Sequence, residues 1–246
     1  LSGCAILGKS FDETLIHSGL VLLPQVVIAV FCVGMLSVWE NVFDVVTPAR
    51  LHELLNGNHP LQRKMMTVAP GTFHHSMMTA SLAEGAAEAI GANAPLLARV
   101  GACYHDVGKL RRPAYFSENQ TDGRNIHDTL SPAESADFII AHQRDAEALL
   151  QKYHVPAAVR AIAAEHHGTT LVAYFYHKAK QAAGQTVDEA AYRYPGPRPT
   201  TRESAIVMFA DSCEAAVRSL GDATAEQMAD MVHKVIRGKI DDGQLA

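Results

Sequence analysis

The chain has 246 residues, 48% of them hydrophobic, and a formal net charge of −5. That length allows one large domain or two small ones, and the mild acidity provides no basic field for docking on duplex DNA or RNA. The four cysteines, Cys4, Cys32, Cys103 and Cys213, lie far apart without a CxxC pair, which argues against a zinc knuckle or disulfide framework and fits a reducing compartment.

Residues 1–14 are a short tail without an initiator Met, so the expectation is a piece of a longer chain. The run Leu20–Trp39 holds no charged residue, and Gln25 is its only strongly polar side chain. About 20 apolar residues at 1.5 Å rise match a ~30 Å hydrocarbon core. Pro24 and Gly34 are tolerable in such a helix, and Trp39 suits the interfacial belt. A buried core helix and a signal peptide are the alternatives. A signal peptide needs a basic start and a small-residue cleavage site, whereas Asp12 and Glu13 precede this run and Trp39-Glu40-Asn41 closes it. A transmembrane helix and linker are therefore expected over 15–47. Arg50, Arg63 and Lys64 follow the span and Lys9 precedes it, a bias that puts the C-terminal part in the cytoplasm.

From Pro48 the pattern is helical. Pro48 suits the first turn of a helix through Leu55, ended by Gly57-Asn58, and His59-Pro60 restarts the chain. Met77, Leu82, Ala86 and Ile90 recur at helical spacing within Phe73–Ile90. Ala94–Tyr104 is the next helix, and Arg111–Leu130 reads as a loop. Ser131-Pro132-Ala133-Glu134 has the form of a capping box and opens a helix to about Tyr153. Pro156 starts another that closes at His167 before Gly168, and Thr169-Thr170 is expected to open one through Lys180. Tyr194–Pro199 is a proline-rich loop. Helices containing Asp211 and spanning Ala223–Arg237 finish the chain. No run alternates as a strand would, so residues 48–246 read as one all-α bundle.

The chemistry-bearing residues cluster at helix ends. His105-Asp106 closes an apolar run, and a neutral imidazole beside a carboxylate can ligate a divalent metal. Lys109 follows three residues on, about one helical turn away. His75 lies near a helix start, His142 within a helix, and the pair His166-His167 at a helix end. Asp211 interrupts the apolar stretch Ile206–Ala210, where a carboxylate is costly to bury unless a cation compensates it. Adjacent helical residues point about 100° apart, so His166 and His167 can serve two metals, or a metal and a phosphate. Asp106 has two oxygens and can bridge two ions. Such sites without thiolates favour Mn, Fe or Zn over Ca.

The order His75, His105-Asp106, His142, His166-His167, Asp211 resembles the HD-domain metal-dependent phosphohydrolases. Longer strings extend the likeness: Asn58-His59-Pro60-Leu61, Ala69–Ser76, His105–Lys109, Glu165–Thr170 and Tyr192–Pro197. These resemble the cytoplasmic domain of the seven-transmembrane HD family, cyclic di-AMP phosphodiesterases of the PgpH type. The segment before Pro48 is similar to that family's last membrane helix, and every expected ligand position is matched. The resemblance implies an HD helical fold with a two-metal site. His75, His105, Asp106 and Asp211 would hold one ion; Asp106, His142, His166 and His167 the other, with Mn or Fe expected. A two-metal-activated hydroxide would then attack cyclic di-AMP in line and give linear 5′-pApA. Lys109 would stabilise the phosphate oxygens or the leaving group.

The resemblance leaves several residues open. His127 can contact substrate, complete the coordination or stand solvated in a loop. Thr169, Thr170, Tyr174, Arg193 and Arg198 are candidates for substrate contact; a base can stack on the aromatics, and the arginines can meet phosphates, with core packing and a solvated loop as the alternatives. Three functions stay in play: the cyclic di-AMP phosphodiesterase, an HD phosphohydrolase acting on another nucleotide or on cyclic di-GMP, and a silent nucleotide-binding module. Gly168-Thr169-Thr170 after His167 departs from the Gly-Tyr-Pro usual in the cyclic di-GMP class, and a silent module should have lost a ligand. A homodimer is left open.

Overall fold

The structure, a computed structural model, describes residues 11–43, 45–120, 125–183 and 187–245. These are almost wholly helical and contain no extended strand, as the all-α expectation requires. They divide into two compact units between Val45 and Val46. Residues 1–10 of the expected tail, including Cys4 and Lys9, lie outside the described residues.

The first unit holds α1 (Phe11–Gly34) and α2 (Leu36–Phe43). The 24 residues of α1 bury none of their side chains, and the helix is long and apolar enough to cross a membrane. It begins earlier than the hydrophobic run, because Asp12 and Glu13 sit in its first turn, where carboxylates complement the helix dipole.

The second unit is the bundle. Five consecutive helices open on proline: α3 (Pro48–Leu55), α4 (Pro60–Val68), α5 (Pro70–Ala89), α6 (Pro95–Tyr104) and α7 (Pro132–Lys152). Proline at N1 fixes φ for a helix and lacks only an amide that would have had no partner. At α7 the Ser131–Glu134 capping box is present in full. Then follow α8 (Ala157–Glu165), α9 (Ala173–Ala183), α10 (Arg202–Arg218) and α11 (Ala225–Asp241). Helix α6 runs through the middle, packed on α5, α8 and α10. Its residues 100–104 are all buried, and Tyr104 donates its hydroxyl to the Leu54 carbonyl at 2.7 Å.

Two stretches differ from the sequence reading. The expected loop Arg111–Leu130 is a chain of single 3₁₀ turns, at Pro113–Tyr115, Ser117–Asn119 and Ile126–Asp128, following Val107–Arg111; its residues 121–124 lie outside the described residues. Thr169-Thr170 does not open a helix. Thr170 instead accepts from the Tyr194 amide, Val172 donates to Tyr192, and Leu171 bridges Arg193. The proline-rich loop thus claims these backbone groups and delays α9 to Ala173.

The 3₁₀ turn after Asp106 crosses α7 at close range. A Cβ on Gly108 would overlap the His142 carbonyl and the Ala146 amide nitrogen, both immobile helix backbone. Gly108→Ala should therefore push this turn off α7 and destabilise the fold by about 1–3 kcal/mol, as overpacking does. A lower urea midpoint at unchanged m-value is the expected result.

Candidate metal centre

The seven candidate ligands come from five helices of the bundle. His75 projects from α5, His105 and Asp106 from the end of α6, His142 from α7, His166 and His167 from the end of α8, and Asp211 from α10. Gly168, with φ 53°, stops α8 at once and leaves the His pair at the helix mouth.

Three imidazoles are aimed by the same local device. Nδ1–H of His105, His142 and His166 donates to the carbonyl three residues earlier, Ala102, Ile139 and Ala163, at 2.7, 2.5 and 2.7 Å. Those bonds select the tautomer whose Nε2 lone pair faces inward. His75 is held by a carboxylate instead: Nδ1 lies 2.5 Å from Glu214 Oε2, and Nε2 lies 3.0 Å from Asp211 Oδ1.

Asp106 lies between two sets of donors. Its Oδ2 is 3.1 Å from His105 Nε2 and 3.5 Å from His75 Nε2. Its Oδ1 is 3.4 Å from His142 Nε2 and 3.8 Å from His166 Nε2. Asp211 Oδ1 stands 3.5 Å from His105 Nε2, and its Oδ2 stands 3.7 Å from His167 Nδ1. The ligand atoms of His75, His105, Asp106 and Asp211 fall within 4.8 Å of one another, as do those of Asp106, His142, His166 and His167.

The cluster calls for positive charge. Both Asp106 oxygens and His105 Nε2 are buried without a properly directed hydrogen bond. Burial alone would raise the Asp106 pKa, but His105 and Lys109 outweigh it and hold the carboxyl well below its usual range. Burial would also neutralise His105, yet the charge of Asp106 prevails and lifts its pKa to about 10; His75 is raised too, by Asp211 and Glu214 against its burial. On the other side burial keeps His142, His166 and His167 neutral, with His166 pushed down to about 3. Protons on one quartet supply the charge a cation would supply. Inward imidazole lone pairs, two buried carboxylates and no thiolate fit a divalent transition metal.

Lys109 lies beside this cluster. Its Nζ is 2.8 Å from Asp106 Oδ2 and 2.8 Å from Glu118 Oε1, and sits 4.9 Å from the Phe116 ring centroid. Two carboxylates thus flank this cation.

The candidate substrate contacts are more scattered. His127 is buried, bonded through Nε2 to the Tyr115 carbonyl at 2.8 Å and packed on Phe175, outside both ligand sets. Tyr174 is 68% exposed, so it buries no base-stacking face within the fold. Arg193 is tied to Asp242 and Glu189 and donates to the Thr169 carbonyl. Arg198 reaches the Thr169 hydroxyl at 3.2 Å, and Thr170 accepts from Lys239 at 2.8 Å. Tyr194 stacks on His167 with ring centroids 4.2 Å apart.

Sequence reasoning passed over Glu214, Glu118 and Lys239. Glu214 had a usable signal: it stands three residues after Asp211 and so on the same helix face. The other two had none: Glu118 meets Lys109 across nine residues of irregular 3₁₀ turns, and Lys239 meets Thr170 69 positions away along the chain.

Asp106 is the carboxylate common to both quartets, so Asp106→Ala should abolish metal uptake. Elemental analysis of the purified variant should find almost no bound transition metal; near-normal content would mean that the bridge is not needed.

The HD domain family model matches residues 72–216. The chain is 49% identical over 212 residues to the cyclic-di-AMP phosphodiesterase PgpH of Listeria monocytogenes, covering 86% of this chain and 29% of the relative. It is 48% identical over 218 residues to the enzyme of the same name in Bacillus subtilis, covering 89% of this chain and 30% of the relative. The chain therefore spans under a third of the length of these curated relatives. Among solved structures, the L. monocytogenes PgpH HD domain in complex with cyclic-di-AMP superposes with a TM-score of 0.74 at 50% identity, covering 77% of this chain and 87% of that one. The domain crystallised without a named ligand gives a TM-score of 0.72 at the same identity, over 76% of this chain and 87% of that one. On the family match and on half-identical solved domains covered almost entirely, the chain belongs to the HD-domain family.

Proposed function

We propose that this chain is the catalytic part of a metal-dependent phosphodiesterase that opens cyclic di-AMP to linear 5′-pApA. The observation that carries the reading is Asp106: a buried carboxylate whose two oxygens face different imidazole sets, in a fold whose solved relative holds cyclic-di-AMP. His75, His105, Asp106 and Asp211 would hold one ion, and Asp106, His142, His166 and His167 a second, with Mn or Fe the ions that suit such donors. Paired divalent ions, when bound, lower the pKa of a bound water and polarise the phosphodiester.

The chain's own groups do the rest. Burial keeps His142, His166 and His167 neutral at physiological pH, so their lone pairs stay available as ligands. Glu214 and the three backbone carbonyls keep the rings of His75, His105, His142 and His166 from rotating. Lys109, oriented by Glu118, presents a cation next to Asp106, where an incoming phosphate oxygen or the leaving ribose 3′ oxygen can share it. The α1 helix anchors the protein in a membrane, with the HD unit on the cytoplasmic side. That placement rests on the helix's length and composition, on the basic residues after it and on the family's cyclic-dinucleotide chemistry.

The decisive experiment incubates the Mn²⁺-loaded chain with cyclic di-AMP and, separately, cyclic di-GMP. Linear 5′-pApA should accumulate, and cyclic di-GMP should turn over far more slowly. No turnover of cyclic di-AMP by metal-loaded, folded protein would remove this reading.

Lys109→Met keeps the stem packing and deletes the charge. It should lower kcat by roughly 10²-fold or more, the scale of a single electrostatic stabiliser, with metal content unchanged. Loss of metal in the variant would reassign Lys109 to holding Asp106 in place.

A further inference from the structure

Four cations stand on or near the ligand cluster, and two of them form no ion pair among the described residues. Lys109 is paired with Asp106 and Glu118, and Arg193 with Asp242 and Glu189. Lys239 and Arg198 have no carboxylate within ion-pair distance among the described residues. Each instead donates to one hydroxyl of a threonine pair: Lys239 Nζ to Thr170 Oγ1 at 2.8 Å, and Arg198 Nε to Thr169 Oγ1 at 3.2 Å.

That threonine pair is rigidly mounted. Thr170 donates its amide to the carbonyl of the ligand residue His167 at 3.0 Å and accepts from the Tyr194 amide at 3.0 Å. The Thr169 amide donates to Gln244 Oε1 at 2.8 Å, and Gln244 Nε2 returns a bond to Thr169 Oγ1 at 3.1 Å. Gln244 is itself fully buried and bonded to Asp242. Lys239 is half-buried, so keeping its charge without a counter-ion is costly. Burial works against that charge, and Asp211 and Asp242 favour it only from beyond ion-pair distance. Divalent ions held by the two quartets, one including Asp211 and the other His167, would repel it unless an anion lay between them.

We propose that Lys239 and Arg198, mounted on Thr170 and Thr169, form an anion seat beside His167 that binds the phosphodiester of a cyclic dinucleotide which is not being cleaved. The inference rests on the function proposed above. A cyclic dinucleotide carries two phosphodiesters tied into one ring. When one lies on the metal ligands, the other must lie close by, and it needs a cation that is not already paired. Lys109 serves the bond that breaks; Lys239 and Arg198 serve the one that stays. The seat therefore selects for the cyclic or doubly charged substrate rather than adding to the chemical step.

The test compares wild type, Lys239→Met, Lys239→Arg and Arg198→Gln as full chains loaded with Mn²⁺. The substrate is cyclic di-AMP, read as KM and kcat at two salt concentrations, with metal content measured in parallel. A lost charge-assisted hydrogen bond corresponds to roughly 10-fold or more in affinity. Lys239→Met should thus raise KM by about 10-fold or more, with a much smaller change in kcat and no loss of metal. Lys239→Arg should restore most of the KM. The KM of wild type should rise more steeply with salt than that of Lys239→Met. Arg198 is exposed, so Arg198→Gln folds regardless and should shift KM in the same direction. An unchanged KM in both charge-removing variants, or a fall in kcat or metal content at constant KM, would overturn the seat. Should wild type fail to cleave cyclic di-AMP at all, the proposed function fails first, and the seat with it.

Discussion

Two carboxylates, Asp106 and Asp211, are buried among five imidazoles at the centre of the bundle. Taking such charges out of water costs several kcal/mol each unless positive charge accompanies them. Lys109 contributes such charge, and the two carboxylates raise the pKa values of His75 and His105 toward the protonated form. A divalent cation can take over the same task, which is why the donor set is at once an electrostatic problem and a metal site. The bundle supplies the walls that keep water from solving the problem instead.

The geometry is assembled from local devices and one long-range constraint. Binding a histidine's Nδ1–H to the carbonyl three residues back needs nothing beyond the helix end on which it sits, and it recurs at His105, His142 and His166. Each such ring is thereby oriented by its own helix. Bringing the rings together is the work of α6, whose small buried residues Gly101 and Ala102 let neighbouring helices approach, and of Gly108, which lets the turn after Asp106 lie on α7. His75 is the exception, since its partner Glu214 belongs to α10 and the pair forms only when α5 and α10 pack.

The rim is made differently from the centre. Short 3₁₀ turns carry Glu118 and Phe116 to Lys109 on one side. On the other, the C-terminal end of α11 and the residues after it reach back to Thr169 and Thr170 through Lys239 and Gln244. The contacts on this second side join segments far apart in sequence, so they depend on the bundle being complete. They also leave the two sides with unlike charge: a neutralised lysine on one, unneutralised cations on the other.

The sequence by itself was enough for the helical class, most helix starts and the candidate ligands. Prolines at N1, the Ser131–Glu134 capping box and Gly168 act through neighbouring backbone groups, so their meaning survives without a fold. His105-Asp106 and His166-His167 were legible as members of one set of histidines and acids recurring at helix ends, and Asp211 because an acid in an apolar run needs a partner. Other features existed only in three dimensions. That Asp106 turns one oxygen to each imidazole set depends on where α5, α7 and α8 cross α6. That Thr169-Thr170 forms a bridge rather than a helix start depends on Tyr192 and Tyr194 lying alongside. Which cations are spent on carboxylates could not be read from their spacing: Lys109 and Lys239 each have an acid three residues away, Asp106 and Asp242, yet Lys109 pairs with its neighbour while Asp242 pairs with Arg193, because an ion pair is decided by distance in space.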